Sequence, residues 1–312
     1  MNKIRLRYGE NPHQKGWIKK IATKNPLAWF RFRQLQGKQL SFNNYLDMET
    51  AVETLSFIGQ TKTACVIVKH TNPCGVSQGR KLEKIFLQAW RGDSLAAFGG
   101  IVAINRPVEG KLAKLMLAER RFFEILLCPE ISAAARKVMS RKKDLRILIN
   151  PALSTPMPNK ALDHREIRGG ILEQERDLYK LTKKDLRVVT KVRPKLKQIQ
   201  DMLMAWEICR VSKANSIALV KNEQLVANAV GQQDRVRCCQ LAVNKARPGA
   251  VRGAVAASDA FFPFKDGPAV LIKAGLKAMI QPGGSIRDQE TIDLCNQNQV
   301  SMIFTGVRCF KH

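Results

Sequence analysis

A lysine and a histidine stand side by side at Lys69-His70, directly after the apolar run ACVIV (64–68) and before Asn72-Pro73-Cys74-Gly75. An ammonium that can stabilise developing negative charge, next to an imidazole that can take a proton, is the equipment for helping a weak nucleophile attack a carbonyl. Imidazole suits that task because its unperturbed pKa of about 6.5 lies close to working pH. The apolar run reads as a buried strand, and the C-terminal ends of strands are where open α/β sheets bind ligands. Taken alone, a Lys-His pair after a strand is more often an ordinary surface pair. Four other strings are also unusual. RYGENPHQ (7–14) is polar and contains Gly and Pro, so it reads as an irregular loop. GKQLSFNNYLD (37–47) sets paired asparagines at a helix start, where N-capping explains them equally well. SDAFFPFKD (258–266) joins carboxylates to three phenylalanines that would ordinarily be core. QPGGSIRD (281–288) leaves a strand and opens a helix, a place where backbone N–H groups meet anions.

The elements that would position these strings alternate between short apolar runs and helical periods, which indicates an α/β fold. Residues 44–58 have helical spacing ahead of the strand at 64–68, and the chain breaks at 72–75. A helix is expected over 81–90, a strand after the turn at 98, a long helix over 107–127, another over 131–141, and a strand at 145–149. The stretch 150–185 is richer in Pro, polar residues and charge, and reads as a connection. Beyond it, Leu196, Ile199, Leu203, Trp206 and Ile208 fall near one helical face. Strands at 216–220, 225–230, 278–280 and 300–304 and helices near 234–247, 267–276 and from 288 complete the pattern. No short repeat is visible, but the two halves share a strand–helix rhythm.

The chain has 312 residues, 45% hydrophobic and 25% charged, with 53 Lys/Arg against 26 Asp/Glu and a net charge of +27. The apolar content excludes a disordered chain. No apolar run reaches the ~18–20 residues of a membrane span, and the N-terminus lacks a signal-peptide pattern; a cytoplasmic protein is the expectation. Eight scattered cysteines include no C-x2-C pair and read as small buried hydrophobes. The positive charge is densest over 1–38, 136–146 and 183–197. It raises the question of nucleic acid, yet there is no zinc-finger spacing, ribonucleoprotein motif or Gly-x-x-Gly clamp. Aromatics are only 6% of residues, which leaves little for base stacking. A solvated basic surface is therefore expected, suited to small anionic substrates.

RYGENPHQ, GKQLSFNNYLD, VKHTNPCG, AFGGIVA, ASDAFFPFKDG, QPGGSIRD and the terminal FTGVRCFKH, in this order from residue 5 to 312, resemble the AICAR transformylase family. That family is the formyltransferase part of the bifunctional purine-biosynthesis enzyme that also carries IMP cyclohydrolase. The resemblance implies two cytidine-deaminase-like three-layer α/β/α subdomains, here 1–150 and 186–312 with 151–185 connecting them. It also implies a homodimer with a shared active site. The implied reaction moves a formyl group from the co-substrate 10-formyltetrahydrofolate to the 5-amino group of AICAR, with no catalytic metal. Lys69, His70 and Asn215 match catalytic positions. Arg7, Tyr8, Asn44, Phe261, Phe262, Asp266, Arg308 and Phe310 match substrate-binding ones. With RYGENPHQ following Met1 so closely, the chain is expected not to close FAICAR to IMP by itself: either a separate cyclohydrolase partner supplies that step or the family's cyclohydrolase domain was lost.

The sequence departs from the family pattern at Ala96, Ala214, Ala227, Ala229, Asp234 and Cys309. If the glycines usual at 227 and 229 serve positive φ, alanine there costs stability and reduced activity is expected. Two rival readings meet obstacles at particular residues. A zinc deaminase needs a second thiol after Pro73-Cys74 in a Cys-x-x-Cys pair, and Ser77 stands there. A degenerate relative serving as a basic nucleic-acid-binding or scaffold protein fits the charge but not the retained Lys69, His70, Asn215 and Arg308.

Overall fold

The structure, a computed structural model, describes residues 3–312. A hairpin of β1 (Lys3–Arg5) and β2 (Trp17–Lys19) comes first. A first half follows: β3 (Arg33–Gln36), α1 (Phe42–Ile58), β4 (Thr63–Lys69), β5 (Asn72–Gly79), α2 (Leu82–Trp90), α3 (Ser94–Ala97), β6 (Gly100–Ile104), α4 (Gly110–Leu117), β7 (Phe123–Cys128), α5 (Ala133–Met139) and β8 (Arg146–Ile149). The connecting stretch carries a second small hairpin, β9 (Asp163–Ile167) and β10 (Gly170–Gln174). The other half runs β11 (Arg187–Val188), α6 (Leu196–Val211), β12 (Ile217–Lys221), β13 (Gln224–Ala229), α7 (Arg235–Lys245), β14 (Val255–Ser258), α8 (Asp266–Lys273), β15 (Ala278–Gln281), α9 (Asp288–Gln297) and β16 (Ser301–Phe304).

Twelve of these strands form one mixed sheet in the order β11-β16-β15-β14-β12-β13-β5-β4-β6-β7-β8-β3. Read outward from the centre, β5-β4-β6-β7-β8-β3 and β13-β12-β14-β15-β16-β11 follow the same plan. The two halves meet antiparallel, with Gln224 of β13 opposite Ser77 of β5, so an approximate two-fold runs through the seam. The shared strand–helix rhythm of the sequence is thus a shared topology.

Period-2 alternation sorts the side chains into three layers. Ala64, Val66 and Val68 of β4 and Ala218 and Val220 of β12 join the core under α1 and α6. Cys65 and Ile67 point the other way, to α2, α4 and α5. Ile217 and Leu219 likewise meet α7, α8 and α9.

Two expectations are corrected. The long helix over 107–127 is instead α4, ending at Leu117, and a buried parallel strand, β7. Glu119 and Arg120 at φ 54° and 55° end the helical path, and a run buried on both faces has no period to separate strand from helix. The break at 72–75 is the start of β5. Pro73 is tolerated because the β4–β5 ladder shifts register beside it, between Ile67 and Val68. Gly75 is required there, since a Cβ would lie 2.2 Å from the Ala89 carbonyl oxygen of α2.

Candidate functional site

β4 runs antiparallel to β6, with Val68 opposite Ile101, and β6, β7 and β8 are parallel. The end of β4 therefore shares an edge of the sheet with the starts of β6, β7 and β8. Through the antiparallel seam, that edge continues to the end of β13, the start of β12 and the ends of β14, β15 and β16. All the strings singled out in the sequence fall along it.

Lys69 closes β4, and His70 and Thr71 form the two-residue turn into β5 at φ 52° and 58°. Positive φ at both central positions is the type I′ hairpin geometry. It projects the exposed His70 beyond the strand ends. Asp47 of α1 anchors the turn by accepting the Thr71 N–H at 2.6 Å. Burial pushes the Asp47 carboxyl up, while the Thr71 N–H and the nearby His70 and Lys69 pull it down. Lys69 Nζ donates to the Gly99 carbonyl at 3.0 Å, leaving an ammonium, which has three donors, with two more to offer. Gly99 N in turn donates to Phe122 O at 2.8 Å, and the exposed rings of Phe98 and Phe122 lie 5.3 Å apart beside it.

The second half brings Asn215 to the same turn. Asn72 bonds on both sides: its Nδ2 donates to His70 O at 2.9 Å and its Oδ1 accepts the Lys213 N–H at 3.0 Å. Asn215 is held by Arg235, which donates to Asn215 Oδ1, to Asp259 Oδ1 and to Ser258 Oγ. Asp259 is fully buried and also accepts the Ser216 N–H at 2.8 Å. Burial raises its carboxyl and the Arg235 guanidinium opposes that shift. The C-terminal segment closes over this group: Cys309 N donates to Asp259 O at 3.0 Å and Ala214 N to Lys311 O at 2.8 Å. The guanidinium of Arg308 stacks 5.1 Å from the Phe310 ring, and that of Arg235 lies 5.9 Å from it. A cavity of about 810 Å³ includes Arg308, Phe310 and Lys213 in its lining, but neither Lys69 nor His70.

The remaining candidates are spread more widely. Phe261 and Asp266 are exposed near the end of β14 and the start of α8, whereas Phe262 is a core residue, 1% exposed. Asn44 is buried. Its Oδ1 accepts from Ser41 N and its N–H donates to Ser41 Oγ in a reciprocal cap, while Nδ2 donates to Glu124 at 3.2 Å. Arg7 and Tyr8 lie in the β1–β2 loop, the Arg7 guanidinium 5.5 Å from the Tyr8 ring. They sit beside Arg146, itself 3.6 Å from Glu124, at the outer flank of the edge. Within one chain they make no hydrogen bond, among the described residues, to the group around His70 and Asn215.

Three positioning residues, Asp47, Arg235 and Asp259, carry no local sign of their role in the sequence. Asp47 and Asp259 stand inside strings already singled out, but nothing nearby says that a carboxylate will reach a turn 24 residues away or a guanidinium 24 residues back. Four of the departures prove structurally mild. Ala227 and Ala229 lie fully buried in β13, outside the positive-φ positions, so the expected backbone cost does not arise. Asp234 caps α7 by accepting Arg237 N at 2.8 Å, as a serine would. Cys309 packs in the core.

These features define a duplicated, three-layer α/β protein whose polar groups from both halves converge beside a hairpin turn on one sheet edge. The sequence pattern of the AICARFT/IMPCHase bienzyme matches residues 1–245, and the chain belongs to that family. It is 42% identical over 313 residues to the bifunctional purine biosynthesis protein PurH of Aquifex aeolicus (strain VF5), an alignment that covers 99% of this chain and 59% of that protein.

Proposed function

We propose that the chain performs formyl transfer, passing the formyl group of 10-formyltetrahydrofolate to the 5-amino group of AICAR and releasing FAICAR and tetrahydrofolate, a step in making purines. The observation that carries this reading is the His70 turn: an exposed imidazole beside the Lys69 ammonium, tied to the Asn215 loop through Asn72. The AICAR amine is a poor nucleophile because its lone pair is delocalised into the ring and carboxamide. His70 takes the proton that the amine sheds during attack. Lys69, anchored on Gly99, places positive charge where the formyl oxygen becomes an oxyanion. Asn215, its oxygen engaged by Arg235, offers its amide to orient substrate and formyl group.

Arg308 supplies a fork for the substrate's phosphate or carboxamide, and Phe261 and Phe310 supply apolar walls for its rings. Arg7 and Tyr8, remote from His70 within one chain, would complete a site built across a homodimer. The two halves are proposed to be cytidine-deaminase-like subdomains. Tetrahydrofolate formation followed spectroscopically, with AICAR and 10-formyltetrahydrofolate, tests the proposal. Turnover by the wild type that is lost in His70→Ala is expected; no turnover by a folded wild type would overturn it.

A further inference from the structure

A groove of about 780 Å³ lies between α2 and α4, on the face of the sheet opposite α1 and α6, and is closed by Gln224 and Arg247 from the second half. Its polar lining is one-signed. Lys81, Lys84, Arg91, Lys111, Lys114 and Arg247 face a single carboxylate, Glu83. Only Lys111 approaches that carboxylate, at 3.9 Å; among the described residues the other five cations have no acidic partner. The general excess of positive charge contributes, since a second cavity sets Arg121, Arg141, Lys142 and Lys143 against Asp144 alone, but the groove gathers more cations than that and the excess is not uniform. The cavity beside Arg308 balances six Lys/Arg with five carboxylates. Apolar walls at Leu87, Leu115 and Ala118 bring low dielectric against the cations, and such walls focus a field of one sign into the cleft.

We propose that this groove binds a linear chain of phosphates, a bare oligophosphate anion. Lys84 on α2 and Arg91, the residue that caps its C-terminus, lie two turns apart, with Lys111 and Lys114 opposite on α4. Cations are thus repeated along the groove, which suits an anion whose charges are also repeated in line. Aromatic side chains are missing from the lining, and without them a nucleic-acid strand has no surface on which to stack its bases. The site is independent of the formyl-transfer reading, since none of its residues belongs to the His70 edge.

The test is calorimetric titration of the wild-type chain with inorganic tripolyphosphate at two salt concentrations. It is repeated with Lys84→Glu/Lys114→Glu and with Lys183→Glu/Lys184→Glu, a pair of exposed lysines elsewhere. The groove variant is expected to bind at least about tenfold more weakly and with a shallower dependence on salt; the distant variant is expected to change little. Equal losses in both variants would overturn the proposal in favour of a diffuse field. An oligodeoxythymidine that binds more tightly per phosphate, and is lost with the same groove variant, would overturn the bare-chain assignment. Far-ultraviolet circular dichroism checks folding, and Lys84→Gln/Lys114→Gln serves if charge reversal disturbs it.

Discussion

The buried pair Arg235–Asp259 makes a prediction in which the two partners behave differently. Asp259 is fully buried and Arg235 is 8% exposed. Asp259→Asn leaves a buried guanidinium that cannot shed its proton, and stranding such a charge costs about 3–5 kcal/mol. Arg235→Met strands the carboxylate instead, which can escape by binding a proton. Relative to an unfolded-state pKa of about 3.9, that escape costs at most about 1.36 kcal/mol per pH unit, or about 4.2 kcal/mol at pH 7 and about 1.5 kcal/mol at pH 5. The sign follows from proton counting. Between the two pKa values the folded variant holds one proton that the unfolded chain does not, so its stability falls as pH rises. Urea unfolding of wild type and both variants at pH 5, 6 and 7 measures this. The deficit of Arg235→Met should shrink by up to about 2.7 kcal/mol from pH 7 to pH 5, whereas that of Asp259→Asn, which removes the raised wild-type carboxyl, should widen toward low pH. A parallel pH response in the two variants, or none in Arg235→Met, would refute the reasoning.

Three other outcomes are expected. Burial raises the Glu207 carboxyl from 4.5 to about 7, with Arg210 opposing and Asp177 adding to the shift. The folded protein therefore loses about 2–4 kcal/mol as pH climbs from below 4.5 to above 7, and Glu207→Gln should remove that share of the slope in pH-dependent unfolding. Gly75→Ala drives a methyl into the Ala89 carbonyl and should cost about 3 kcal/mol or more, read as a lowered midpoint in thermal unfolding; an unchanged midpoint would mean that α2 can step back freely. All eight cysteines are buried and free, and burial pushes the Cys74 thiol up to about 12. A thiol-reactive chromogenic disulfide should find none of them in the native protein and eight in denaturant.

Much of the fold is legible because β4 and β16 are short apolar runs set off by turn residues, and α1 and α6 carry apolar residues three and four positions apart. What fails is local: β7 is buried on both faces and has no alternation to read, and β5 begins with a proline that only a register shift makes tolerable. The candidate site is legible as strings rather than as geometry. Asn44 and Phe262 stand in those strings, and the strings do not show that Asn44 also caps α1 and bonds Glu124 or that Phe262 packs in the core. The converse holds for Arg235, which draws its position from Asp259, a residue reached only when β12 and β14 pair. A single sequence carries no mark of that long-range pairing.

The seam between β5 and β13 also fixes a mechanical scale for the molecule. Gln224 pairs with Ser77 there, and Asn228 Nδ2 reinforces it by donating to Pro73 O at 2.9 Å. If the halves flex, this line is the pivot. His70 and Asn215 stand about one strand from it, so with strands about 4.8 Å apart a 10° swing displaces them by less than about 1 Å. Arg7 and Tyr8, beside β8 some four strands out, would sweep about 3–4 Å in the same swing. Under such a swing the groups at the His70 turn shift least, and the substrate-binding candidates at the wing shift most.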